Sequence, residues 1–108
     1  DERSALSLTD GDVDLLRELA QLFLAEYPVL MTSLRKAVSQ GDATGVQTSA
    51  HSIKGSLGHF GARRLAERAL DIEMGGRSGD LSGFKEKLAQ FEASMAPFVE
   101  ELLEFSRR

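Results

Sequence analysis

Apolar residues recur along almost the whole chain at spacings of three and four, and nowhere do they alternate with polar ones over the length of a strand. A period near 3.6 belongs to an amphipathic helix, whereas a half-buried strand repeats every second residue. The pattern therefore predicts an all-α protein. Val13, Leu16, Leu19, Ala20, Phe23 and Tyr27 form one stripe, which predicts a first helix from about Asp12 to Glu26 with acidic residues at its positive end. Pro28 has no amide N–H to donate, so a break or bend is expected there. Leu30, Leu34, Ala37 and Val38 predict a second helix from about Val29 to Gln40, stopped by Gly41. Asp42 is placed to cap a third, from Ala43 to Gly58 or His59.

A fourth helix is expected from Ala62 to Met74, with Leu65, Ala66, Ala69 and Ile72 facing inward, and Gly75-Gly76-Arg77-Ser78-Gly79-Asp80 reads as a loop. The strongest periodicity comes last. Leu81, Phe84, Leu88, Phe91, Met95, Phe98, Leu102 and Phe105 predict a helix packed along the length of a bundle, kinked or split at Pro97. With 108 residues the chain makes one domain. Its first residue is Asp rather than Met and Asp1-Glu2-Arg3-Ser4 is polar, so we expect residues 1–108 to be one domain excised from a longer polypeptide.

Composition removes several kinds of chemistry. There is no cysteine, hence no disulfide, thiolate metal site or thiol nucleophile. The most apolar stretch, Leu19 to Met31, is interrupted by Gln21, Glu26 and Pro28, too broken for a membrane span or a signal peptide. A soluble, cytoplasmic monomer is expected. The net charge of -4 argues against a nucleic-acid partner. The sign is not uniform: from His51 to Arg68, Lys54, Arg63, Arg64 and Arg68 stand against Glu67 alone, between two acidic flanks.

That basic segment holds the candidate chemistry. At roughly 100° per residue, Val46, Ala50, Ile53, Leu57 and Phe60 fall on one side of the third helix and His51 on the other. A ring pointing away from the core stripe is not a hydrogen-bonded core histidine. On its own face lie Thr44, Gln47 and Thr48 before it and Lys54, Gly55 and Gly58 after it. Each helical glycine costs about 0.8 to 1.0 kcal/mol relative to alanine. Gly55 is off the apolar stripe, so helix packing explains it less well than clearance for an approaching partner. Lys54, one turn from His51, can hold an ammonium beside any charge the imidazole acquires, and a phosphoryl group would be such a charge. A solvated lysine and an exposed histidine without a role are the plain alternatives.

The run Ala50-His51-Ser52-Ile53-Lys54-Gly55-Ser56-Leu57-Gly58-His59-Phe60-Gly61-Ala62 resembles the signature of the histidine-containing phosphotransfer (HPt) family, A-H-x-[LI]-K-G-[AS] followed by a short gap and G-A. The flanks are similar too: Phe23, Leu34, Ala37, Gly41-Asp42 and Leu65 through Glu73, so that about residues 12 to 75 match well. The resemblance implies an antiparallel four-helix bundle with an additional N-terminal helix. It implies a phosphorelay intermediate in two-component signal transduction, which exchanges a phosphoryl group between His51 and the aspartate of a receiver domain. It gives Lys54 the role of neutralising that group and Gly55 that of leaving space for the partner, with Gly58, Gln47, Thr48 and Ser56 as neighbouring docking positions. His59 stands where the family often has asparagine or another small polar residue, and the motif favours His51 as the modified histidine.

No Gly-rich phosphate loop, no magnesium-binding cluster of carboxylates and no carboxylate evidently paired with His51 is present. The chain is therefore expected to use no ATP by itself and to carry no cofactor, with magnesium residing on the partner receiver domain. Its expected partners are response-regulator receiver domains and a histidine kinase within the same polypeptide. Two other classes stay open: the phosphoaccepting N-terminal domain of a chemotaxis-type histidine kinase, and a noncatalytic helical interaction module. A metal site is discounted, because His51 and His59 are eight residues apart rather than three or four and no further histidine or cysteine joins them.

Overall fold

Val13 to Gln40 form one unbroken helix, α1, although Pro28 lies inside it. A computed structural model describes residue 5 and residues 8–108, and the polar opening Asp1 to Ser4 lies outside these. The described residues hold three further helices, α2 (Ala43–Gly58), α3 (Arg63–Ser78) and α4 (Phe84–Ser106), and no strand. Among the described residues the count is thus four helices, not four with an additional N-terminal one: the segments expected on either side of Pro28 are fused. A helix-interior proline costs about 3 kcal/mol. Against that, Leu16, Ala20 and Phe23 before it and Met31, Leu34 and Ala37 after it are all buried, and one continuous helix keeps both groups on a single stripe. Pro28 itself is exposed, and its carbonyl still accepts a bond from the Thr32 hydroxyl at 2.9 Å.

The helix ends follow local chemistry. Asp12 caps α1 by accepting from Leu15 N at 3.0 Å, and Asp42 caps α2 by accepting from Gly45 N at 2.9 Å. Gly41 ends α1 in the left-handed conformation at φ 67°, as the sequence predicts. The expected loop from Gly75 to Asp80 is not one. α3 continues through Ser78 and its left-handed cap is Gly79 at φ 83°.

Gly75 and Gly76 instead let two neighbours approach. A Cβ on Gly75 would stand 2.2 Å from the Phe84 ring, and one on Gly76 would stand 2.7 Å from the backbone nitrogen of Gln47. α4 begins at Phe84 rather than Leu81 and is not split at Pro97. The core follows the predicted stripes except at Val13, which is exposed at the first turn of α1, with Leu34, Val46, Ile53, Leu57, Ile72 and Met95 almost fully buried. Phe23, Phe60 and Phe98 meet edge-to-face at 5.7–5.8 Å between ring centroids, joining α1, the α2–α3 turn and α4 at one end of the bundle. The most extensive helix contact is between α2 and α3, the pair that frames the site.

Candidate functional site

α2 buries Val46, Ala50, Ile53 and Leu57, and this fixes the opposite face toward solvent. His51 stands on that face with its side chain 66% exposed. The ring is nevertheless held. Its Nδ1 lies 2.9 Å from Oε2 of Glu73, 22 residues further along the chain on α3. The other carboxylate oxygen of Glu73, Oε1, lies 2.8 Å from the Lys54 ammonium. A single carboxylate therefore joins the two predicted site residues, which corrects the expectation that His51 has no paired carboxylate.

Glu73 is the residue of this candidate site that sequence reasoning missed. Its side chain is 12% exposed, and it follows Ile72 on the inward side of α3, where Ala69 and Gly76 are also buried. An acidic residue within an apolar stripe was the available signal, since a buried carboxylate needs a charged or hydrogen-bonded partner. Contact with Lys54 and, to a lesser degree, the bond to His51 hold its carboxyl below the usual carboxylate range, while burial works the other way. Glu73 is therefore ionised at neutral pH. An ionised carboxylate only accepts, so Nδ1 of His51 donates, and the lone pair of the neutral ring lies on Nε2.

The remaining predicted positions divide by side. Gly55 is exposed, and a Cβ there would have nothing within 4 Å, as for Gly58 at the end of α2. The surface beside His51 is open at both. Thr48 is exposed and its hydroxyl donates to the Thr44 carbonyl at 2.9 Å. Gln47 is half-buried, with its backbone nitrogen beneath Gly76 of α3.

Ser56 does not share the His51 face. It lines a shallow depression against α1, with Leu19, Leu22, Glu26 and the exposed His59. Of the basic segment, Arg63 and Arg64 are exposed on the first turn of α3, while Arg68 reaches across to the Ser94 hydroxyl of α4. Among the described residues no group of three or more His, Cys, Asp and Glu side chains is arranged to hold a metal ion. No helix is long and apolar enough to cross a membrane among the described residues.

Comparison with known proteins supplies the context for this geometry. The family model described as Hpt domain matches residues 18–104, which takes in all of α2 and α3 and most of α1 and α4. Among solved structures, the crystal structure of histidine-containing phosphotransfer protein B (HptB) from Pseudomonas aeruginosa PAO1 is similar over 100% of this chain and 95% of that one, with 28% sequence identity and a TM-score of 0.88. No curated protein matches the sequence.

Proposed function

The chain belongs to the Hpt domain family, whose role is histidine phosphotransfer in phosphorelays, and on that premise we propose that His51 accepts a phosphoryl group from a receiver-domain aspartate and hands it to another. The observation that carries this reading is the state of the ring: exposed to a partner, yet tied through Nδ1 to Glu73 so that Nε2 is the nucleophile. The Nε2 lone pair attacks phosphorus in line, an N–P bond forms, and the receiver carboxylate departs with the electron pair of the broken O–P bond.

This chain contributes the nucleophile, its orientation and one nearby cation. The Lys54 ammonium, one turn from His51, offsets charge on the transferred group, and the open surface over Gly55 and Gly58 admits the receiver. Arg63 and Arg64 add positive charge near the same end of α2, which suits an acidic receiver pocket and favours encounter and orientation more than affinity. Magnesium and the phosphorylatable aspartate are the partner's contribution. The chain acts as a carrier without kinase activity of its own.

The test is incubation with phosphorylated receiver domains, followed by mapping of acid-labile, base-stable phosphate. Label on the wild type and on His59→Gln, absent from a folded His51→Gln, is the expected result. Full labelling of His51→Gln overturns the assignment.

A further inference from the structure

We propose that Met74 is an oxidation site on the surface that receives the partner of His51: a peroxide converts its thioether to the sulfoxide, and the oxygen added there weakens the seating of the receiver. The inference rests on the reading that receivers dock over His51.

Burial singles out this side chain. The chain holds three methionines and no cysteine, so a thioether is the most readily oxidised group it offers. Met31 and Met95 are 1% and 0% exposed, closed to an oxidant dissolved in water, whereas Met74 is 47% exposed. The chemistry needs no other residue. A sulfur lone pair attacks one oxygen of hydrogen peroxide, an S–O bond forms as the O–O bond breaks, and the second oxygen leaves as water, taking the proton from the first. Sulfur is oxidised by two electrons and the peroxide is reduced by two. A methionine sulfoxide reductase, drawing its electrons from thiols, reverses the change.

Place gives the modification its effect. Met74 follows Glu73, whose carboxylate meets His51 and Lys54. At roughly 100° per residue, Leu70 lies about 60° and Met74 about 100° around α3 from Glu73, both on the side away from the buried Ala69, Ile72 and Gly76. Leu70 is 40% exposed and stands one turn before Met74, so the two make an apolar pair beside the histidine. An interface of ordinary size hides about 800 Å² on each partner, far more than His51 alone. A receiver whose aspartate reaches His51 therefore covers the adjoining turn of α3 and takes this pair out of water. Methionine suits such a contact, because its unbranched thioether adapts to the shape it meets. The sulfoxide does not. Its oxygen is either buried unpaired, at a desolvation cost, or it is met by the exposed Arg77 three residues on, which is then withdrawn from the acidic receiver.

The experiment treats the folded chain with hydrogen peroxide and maps the added oxygen by peptide mass spectrometry. Wild type and Met74→Leu are then compared in two assays: labelling by a phosphorylated receiver, and labelling by phosphoramidate, a small phosphoryl donor that needs no docking. The expected result is one oxygen on Met74, with Met31 and Met95 unmodified. Receiver labelling should slow by about fivefold or more at subsaturating receiver, while phosphoramidate labelling is unchanged and methionine sulfoxide reductase restores the rate. Met74→Leu should label at the wild-type rate with or without peroxide. Oxygen on Met31 or Met95 ahead of Met74, an oxidised wild type that takes label from the receiver at the untreated rate, or equal slowing in Met74→Leu overturns the proposal. So does a matching loss of phosphoramidate labelling, which would place the damage at His51 or in the fold. Untreated wild type that takes no label from the receiver strikes instead at the phosphotransfer reading, and the untreated sample keeps the two failures apart.

Discussion

Gly76 of α3 lies against the backbone of Gln47 in α2 so closely that a Cβ would stand 2.7 Å from the Gln47 nitrogen and 2.9 Å from the Ala43 carbonyl oxygen. Both are main-chain atoms of a helix and cannot yield as a side-chain tip can. In an open helix, alanine for glycine gains up to about 1 kcal/mol, whereas overpacking a tight contact costs about 1–3 kcal/mol. Gly76→Ala should therefore lower the melting temperature. It should also slow transfer, because Glu73 lies one turn before Gly76 and shifts with α3. A melting temperature at or above wild type would show that the helices part at no cost.

Gly55 has the opposite sign. It is equally helical, but a Cβ there meets nothing within 4 Å. Gly55→Ala should stabilise the fold by up to about 1 kcal/mol. Leucine and glutamate should leave the domain folded and obstruct the receiver, glutamate more so because it adds negative charge opposite an acidic pocket. Thermal melting and transfer kinetics on the three variants check this, and wild-type rates for all three would remove the docking role.

Lys54→Ala should slow phosphotransfer without abolishing it. The ammonium is partly exposed, so its interaction is screened and worth about 1 kcal/mol or less, roughly a fivefold change in rate. Rates at low salt are the measurement. Loss as complete as in His51→Gln would make the lysine indispensable, contrary to this expectation.

Acid should weaken the link between α2 and α3. The carboxyl of Glu73 is held below its ordinary range in the folded protein, chiefly by Lys54, so the unfolded chain binds its proton at a higher pH than the folded one. The stabilisation it brings is present above the ordinary carboxylate range and is lost as pH falls through that range to the lower folded value. Glu73→Gln has no such group to titrate. The stability gap between wild type and Glu73→Gln, measured by denaturant unfolding, should therefore close on acidification, and a gap that stays constant would remove Glu73 as the group responsible.

Much of the molecule was legible in the sequence because it is local. Asp42 and Gly41 mark helix ends by their own side-chain and backbone chemistry, and the stripe of Val46, Ala50, Ile53 and Leu57 placed His51 on the outer face of α2 through helical geometry alone. The motif from Ala50 to Ala62 led to the family by the same route, within one short stretch of chain.

What only the tertiary structure decided depends on two segments meeting. Pro28 reads as a break, since its missing N–H is a local cost, but the burial that keeps α1 whole comes from the helices packed on both of its halves. Gly75 and Gly76 read as a loop, yet each is a glycine because of a neighbour distant in sequence, Phe84 for one and Gln47 for the other. Glu73 belongs with them. Its meeting with His51 and Lys54 is set by the register of α3 on α2, which Gly76 permits and which no spacing along a single helix encodes. The candidate histidine could be read from its own helix, but the carboxylate bonded to it could be found only where the second helix lay against the first.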